Sequence, residues 1–584
     1  MEKNMWQITF LPEEIKIHVP DGTTLLEAER MAGILKIAPC GGRGLCGKCR
    51  RILEDASGVA DVLACRTKVT GDITVRSEGE ENARILTEGI RRETVPGSGI
   101  HVISIQVQPV KPGEADSILE RVTQAAAAAV EMDPKRISAD PDVIGSMYRI
   151  LQETEYCCYA VLYCGDGSGE ILELSPTEPE LYLFAVDIGT TTMAGYLMNA
   201  ESGAVCARVS RMNPQTAWGA DVISRADYAL HHGVVKLTEA VQEAVAGMAE
   251  EAALAAGIKS TQIVLLTAAG NTCMHHLFLG ISPESLVKAP YSAAVRDAME
   301  MKAYSVCRNI HPKAVLRMLP NLAGFVGADT SACLLATEFD RKDRTVLLLD
   351  IGTNGEMVLA SRGRRVACST AAGPAFEGAK IACGMRGAKG AIDHVWLDHG
   401  TIRFSVIGGG SPAGICGSGL MDAAAVLLEA GYVDASGVFV KGKESENRYY
   451  FIPPTDQNPG IYLSQKDLSE LQLAKAAIAA GIRILCRKLG IGREDIEEVL
   501  IAGAFGTYMN PDSACRIGLL PQMLRNKIRV VGNAAGEGAR LAAVSRKEWK
   551  RCCSLAENTE FTELAAEDDF SDFFVEELEF PENR

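Results

Sequence analysis

A chain of 584 residues is too long for a single hydrophobic core, so roughly two to four domains are expected. With 47% hydrophobic and 23% charged residues it is globular rather than disordered, and its formal charge of -16 argues against nucleic acid or an anionic membrane as principal partner. The longest charge-free stretches, 262–281 and 404–421, are interrupted by Asn271, His275 and His276 and by a glycine cluster, so neither reads as a membrane span. The opening MEKNMWQITF has too short an apolar run for a signal peptide. A cytoplasmic protein is therefore expected, in which the 18 cysteines stay reduced and some are available for metal.

The first 86 residues open with a predicted hairpin, Trp6 to Phe10 and Ile15 to Val19, and a helix from Thr23 or Thr24. APCGGRGLCGKCRRILE, 38–54, then fits three motifs. As a phosphate loop it has Cys49 where Ser or Thr must hold Mg2+, and no long helix follows. As a dinucleotide fingerprint it has its helix before the glycines instead of after them. As a metal loop it brings together Cys40, Cys46 and Cys49, with glycines that allow the tight turns and aim N–H groups at sulfur. Cys65, with fifteen residues between it and Cys49, is the expected fourth ligand. Strands near Arg51 to Leu53 and Asp72 to Val75 complete a β-grasp pattern. Zinc ribbons pair their cysteines as two C-x2-C knuckles, whereas Cys40 and Cys65 stand alone, so a 2Fe-2S cluster is favoured over zinc. The spacing resembles that of plant-type and adrenodoxin-type ferredoxins, with a first gap one residue longer than in the plant type.

Residues 87–100 read as a polar linker and 101–178 as a small α/β module: the strand HVISIQVQPV, a helix over 116–130, and a hairpin from Tyr156 to Tyr163 and Glu170 to Glu173. Cys157 and Cys158 are adjacent on a strand and so point to opposite faces, which makes packing a better account than a second metal site.

Residues 179–584 contain an internal echo. LYLFAVDIGTTTMAGYLM and RTVLLLDIGTNGEMVLAS each deliver an aspartate, Asp187 or Asp350, to the end of a buried strand. The turns that follow, Gly189-Thr190-Thr191 and Gly352-Thr353-Asn354, offer N–H and hydroxyl donors to phosphate. Paired turns on two lobes, about 179–343 and 344–584, would grip a nucleotide tail from both sides while the carboxylates hold Mg2+ through water. This arrangement resembles the actin-like ATPases. In that comparison IAGAFGTYMN, with Gly503 and Gly506, is similar to an adenosine loop, and GICGSGLMDAAAVLLEAG, with Gly417 and Gly419, to a connecting helix at the hinge between lobes. The fold class expected is thus multidomain α/β: ferredoxin-like β-grasp, small middle domain, duplicated actin-like ATPase.

With the cluster loop in front, the chain resembles the reductive activators of corrinoid proteins. NPQTAWGADVISR, AAGNTCMHHLFLGISP, NLAGFVGADTSA, CSTAAGPAFEGAKI and GNAAGEGARLA are similar to segments of that family. The resemblance implies an ATP-dependent metalloprotein reductase that passes one electron through its 2Fe-2S cluster to Co(II) corrinoid, restoring Co(I) for methyl transfer. It further implies a corrinoid protein partner, a low-potential electron donor and a homodimer with a flexibly tethered ferredoxin domain. Ser369 or Thr370 is a candidate to approach cobalt, against the plainer role of a turn or helix cap. Trp218 stands where the family pattern suggests Tyr, and Glu537 where a small residue is usual. Three alternatives are a two-subunit dehydratase activator, a nucleotide-gated redox protein serving another acceptor, and a sugar kinase that would leave the ferredoxin domain idle. The final ELAAEDDFSDFFVEELEFPENR places Phe570, Phe573, Phe574 and Phe580 at spacings that suit a packed helix and arm.

Overall fold

The computed structural model describes residues 5–582 except 12–13, 33, 35–41, 43, 45–48, 56–57, 77–88, 353, 379, 441–446 and 456–459. At the N-terminus Met5–Leu11 and Ile15–Pro20 form the expected hairpin. Ile73–Arg76 lies between Met5–Leu11, to which it is parallel, and Arg50–Asp55, to which it is antiparallel. Gly58–Leu63 closes the sheet on the far edge, a strand the sequence reading lacked because residues 58–61 are all exposed and show no buried period. Thr24 caps the helix Leu25–Met31 in a capping box with Glu27, and Leu25, Leu26 and Ala28 bury its inner face. Arg30, at the helix's end, reaches outward to the carbonyl of Ala217 and stands 5.7 Å from the Trp218 ring centroid.

The segment 89–99, expected as a polar linker, is laid against the body. Gly89 bridges to Gly532 and Gly97 to Ser545, and Ser98 is buried. The module after it is a four-stranded sheet in which Cys157–Cys164 lies between Ile100–Gln106 and Gly169–Ser175, with Ile137–Ala139 beyond. Two helices cover it, Ile118–Val130 and Pro141–Glu153. The second was not expected, although Pro141 at its first turn and buried Val143, Met147, Ile150 and Leu151 follow the helical period. Cys158 is buried and Cys157 exposed, as their adjacency on a strand requires.

Two six-stranded sheets follow, built to one plan. In the first, Tyr182–Ile188 pairs antiparallel with Thr192–Asn199 and parallel with Ile263–Gly270, which is parallel to Val315–Met318. In the second, Val346–Ile351 pairs antiparallel with Gly355–Ser361 and parallel with Glu498–Ala502, which is parallel to Ile528–Gly532. A helix follows the third parallel strand of each: Ala328–Ala336 and Ala534–Val544. These two helices pack on each other so closely that a Cβ on Gly538 would stand 2.1 Å from the Ala332 carbonyl oxygen. Here the structure differs from the hinge expected at Gly417 and Gly419. The helix Gly417–Glu429 packs within the second lobe, its two glycines against the carbonyls of Phe376 and Ile392. At the C-terminus Phe570 and Phe573 pack on the second-lobe core and Phe580 is buried, as their spacing suggested.

Candidate nucleotide cavity and cluster site

Both aspartate-bearing strands end at one cavity of about 300 Å³ between the lobes. Asp187, Gly189, Thr190 and Thr191 line it from the first lobe, and Asp350, Gly352 and Asn354 from the second; Thr353 lies outside the described residues. The first turn is braced from behind by the segment 213–225. Asn213 Nδ2 donates to the Gly189 carbonyl at 2.8 Å, and the buried Arg225 guanidinium donates to the Thr190 carbonyl. Two carbonyls of the turn are thus committed to the lobe rather than to the cavity. Thr191 Oγ1 donates to Glu377 Oε2 at 3.3 Å, a contact from one lobe to the other.

Gly503 and Gly417 reach the wall. Gly503, with φ of +82°, leaves room for Asp350 Oδ1, which would stand 2.6 Å from any Cβ there. Gly506 instead packs on Ile501, and Ser369 stays in strand Arg364–Thr370 opposite Glu356, so neither is among the lining residues. The wall also contains groups that motif reading missed: Asp329, Glu356, Glu377, Asn271, Asn533, and the aromatic pair Phe376 and Phe505, whose ring centroids are 4.8 Å apart.

The carboxylates press on one another. Burial, followed by the charges of Asp329 and Asp350, pushes Asp187 up to about 8, with a hydrogen bond from Asn533 acting in the opposite sense. Burial and then Asp329 raise Asp350 to about 7. Glu356 is driven well above the ordinary range by burial and by the same two aspartates, and burial raises Asp329 as well. Anions crowded in this way are relieved by a cation. Among the described residues no three His, Cys, Asp or Glu side chains converge tightly enough to chelate a metal directly. Such a wall fits Mg2+ that keeps its waters and takes further ligands from phosphate.

In the N-terminal domain Cys49 Sγ and Cys65 Sγ lie 3.2 Å apart. Two sulfurs on one tetrahedral metal with bonds of ~2.3 Å stand ~3.8 Å apart, so the pair fits a shared iron after a small adjustment. A Cβ on Gly42 would meet Leu26 at 3.1 Å and the Cys65 Cβ at 4.0 Å, so the backbone at Gly42 lies against the helix and Cys65. Cys40 and Cys46 lie outside the described residues.

A ferredoxin-like sheet ahead of two duplicated lobes that close on a carboxylate-lined cavity defines an iron-sulfur protein built onto an actin-like ATPase fold. Residues 8–70 match the 2Fe-2S iron-sulfur cluster binding domain, 182–342 the RACo middle region, and 344–584 the C-terminal ASKHA domain of RACo. The "middle region" of that description is the first lobe here. The chain is 34% identical over 93% of its length to the corrinoid activation enzyme RamQ of Eubacterium limosum, covering 94% of that protein. It is 27% identical over 68% of its length to the [Co(II) methylated amine-specific corrinoid protein] reductase of Methanosarcina barkeri, covering 77% of that protein. A solved reductive activator for corrinoid, iron-sulfur protein superposes with a TM-score of 0.73 at 30% identity, over 99% of this chain and 98% of that one. The chain belongs to the family of reductive activators of corrinoid proteins. No helix among the described residues is long and apolar enough to cross a membrane.

Proposed function

We propose that this protein reduces the Co(II) corrinoid of a partner methyltransferase system to Co(I), one electron at a time, with ATP consumed to make the step favourable. The reading rests on one observation: a chain matched almost end to end by a corrinoid activation enzyme joins a cysteine-bearing ferredoxin domain to a two-lobed nucleotide cavity. Cys40, Cys46, Cys49 and Cys65 would hold the 2Fe-2S cluster, which supplies one-electron transfer when bound.

Within the cavity each residue has a defined task. The turns at 189–191 and 352–354 would orient a triphosphate, and Asp187 and Asp350 would hold Mg2+ through its waters. Asn533 and Arg225 keep Asp187 and the Thr190 backbone in place, and Phe376 and Phe505 offer an apolar face to a base. Positioning and charge neutralisation are the main contributions a protein makes to phosphoryl transfer.

A plant-type cluster sits near -400 mV, which is not strongly reducing against a low Co(II)/Co(I) couple. For one electron, each tenfold preference of the complex for Co(I) moves that couple by about 59 mV. Binding that favours the Co(I) state raises the couple toward the donor's potential, and nucleotide turnover then releases the product. The electron comes from a low-potential donor, and the working form is a homodimer.

Anaerobic protein mixed with a corrinoid methyltransferase, reductant and ATP should convert the Co(II) absorption to that of Co(I). Asp187→Ala should abolish conversion and ATP hydrolysis while leaving the cluster spectrum intact. Conversion without ATP, or none with any corrinoid protein of the organism, would favour nucleotide-gated delivery to a different acceptor.

A further inference from the structure

The stretch that joins the cluster domain to the body runs along the helix pair between the lobes. Gly89 fits so tightly that a Cβ would stand 2.6 Å from the Asn533 nitrogen and 2.7 Å from the Val531 oxygen. Ile90 N–H donates to the Val531 carbonyl at 2.8 Å. Arg92 then touches three helices. Its backbone N–H donates to Glu537 Oε1 at 2.8 Å, and its carbonyl accepts from Arg540 Nη2 at 2.6 Å. Its Nη1 donates to the Leu335 carbonyl at 2.8 Å, in the last turn of Ala328–Ala336, where a cation is favoured. Its Nη2 pairs with the buried Glu548 of helix Arg546–Glu557. Further on, Gly97 exchanges backbone hydrogen bonds with Val544 and Arg546, and the Ser98 carbonyl accepts from buried Arg317 at 2.7 Å.

Two of the three helices that Arg92 touches, Ala328–Ala336 and Ala534–Val544, reach the cavity. Asp329 lies in the first turn of Ala328–Ala336, and Asn533, Ala534 and Ala535 open Ala534–Val544. Strap and cavity therefore meet the same two rods, one from each lobe, at different points along them. Glu537 accepts from the strap backbone, with Arg540 paired to it at 2.7 Å.

We propose that residues 89–98 are a strap linking nucleotide occupancy to the anchorage of the cluster domain. The inference rests on the reading of the cavity as a nucleotide site. A nucleotide gripped by turns of both lobes and a strap stapled across both helices favour the same lobe arrangement, the one in which Thr191 meets Glu377. Each therefore strengthens the other, and linkage makes the effect reciprocal. Nucleotide tightens the strap and keeps Gly89 as the point where the cluster domain's chain is fastened to the body; its loss lets the strap peel.

Hydrogen exchange on the full-length, cluster-loaded protein tests this directly. Mg2+ with AMPPNP should slow exchange of the amides of residues 90–98 by about tenfold, and Arg92→Ala should weaken AMPPNP binding by a similar factor. Glu537→Gln, which retains an acceptor for the Arg92 N–H, should bind nearly as the unmodified protein does, and Glu537→Ala should not. If AMPPNP binds the unmodified protein while strap exchange stays unchanged, the inference is overturned. If AMPPNP does not bind at all, the nucleotide reading falls and the strap with it.

Discussion

Replacing Asp350 by Asn removes one charge from the carboxylate cluster with little change in shape. Asp350 titrates near 7 in the folded protein against an ordinary value of 3.8, because burial and Asp329 disfavour its anion. An acid whose folded pKa lies above its unfolded one contributes stability while protonated. That contribution is complete below pH ~4 and disappears as pH rises through ~7, so the ligand-free protein should weaken between pH 5 and 8. The difference of about three units corresponds to about 4 kcal/mol by pH 8. Water admitted by the cavity screens part of this, leaving about 2 kcal/mol. For a two-lobed unit of roughly 400 residues this is a fall in melting temperature of about 2–3 °C attributable to Asp350. Asp350→Asn should therefore melt with a flatter pH dependence than the unmodified protein when both are free of nucleotide and Mg2+, and should be the more stable of the two at pH 8. It should also fail to gain stability from Mg-ATP, while the unmodified protein does. Calorimetry in matched buffers at pH 5 and 8 makes the comparison, with the difference between the two proteins cancelling other titrating groups. Identical pH slopes, or a ligand-free protein that gains stability toward pH 8 through this residue, would refute the electrostatic account of the cavity.

Three further outcomes are expected. Cys65→Ser should lower iron below the roughly two atoms per chain of an intact 2Fe-2S centre and bleach the visible spectrum, whereas Cys157→Ser should do neither; iron analysis and absorbance decide. Gly538→Ala should push apart the two inter-lobe helices and cost about 1–3 kcal/mol, read as a lowered denaturant midpoint, because the new methyl has a carbonyl at 2.1 Å. Arg30→Ala should free the cluster domain from Ala217 and Trp218 and enlarge the radius of gyration in X-ray scattering; an unchanged profile would show that this contact does not hold the domain.

What the sequence revealed of the cavity followed the echo. Asp187 and Asp350 stand out because the same tetrapeptide ends two apolar strands. Glu356 was within reach of the same reasoning, since a hairpin turning at 352–354 sets Asp350 opposite Glu356. Asp329 was not: its carboxylate enters from a helix whose place beneath the hairpins depends on the parallel order of three strands far apart in the chain. The hinge was misplaced for a related reason. Gly417 and Gly419 signal close packing, but a glycine pattern does not identify the partner, which proved to be the carbonyls of Phe376 and Ile392. The segment 89–99 differs from the expected linker because a run containing Arg91, Arg92 and Glu93 has the polarity of a solvated segment, and only the fold supplies the buried Glu537 and Glu548 beside it. The β-grasp order was easier, because alternation in its first hairpin and a Thr24/Glu27 capping box are local signals.

Because the chain is fastened at Gly89, the cluster domain is on a short leash. Between Arg76, the last residue of its sheet, and Gly89 lie twelve residues, which cannot span more than roughly 45 Å whatever path they take. Confinement within a sphere of roughly that radius amounts, for one tethered domain, to a local concentration on the order of a few millimolar. An acceptor held by the lobes would meet its electron carrier by intramolecular search, at a rate independent of how much protein is present. A detached ferredoxin domain added in trans would have to be supplied at millimolar levels to match it.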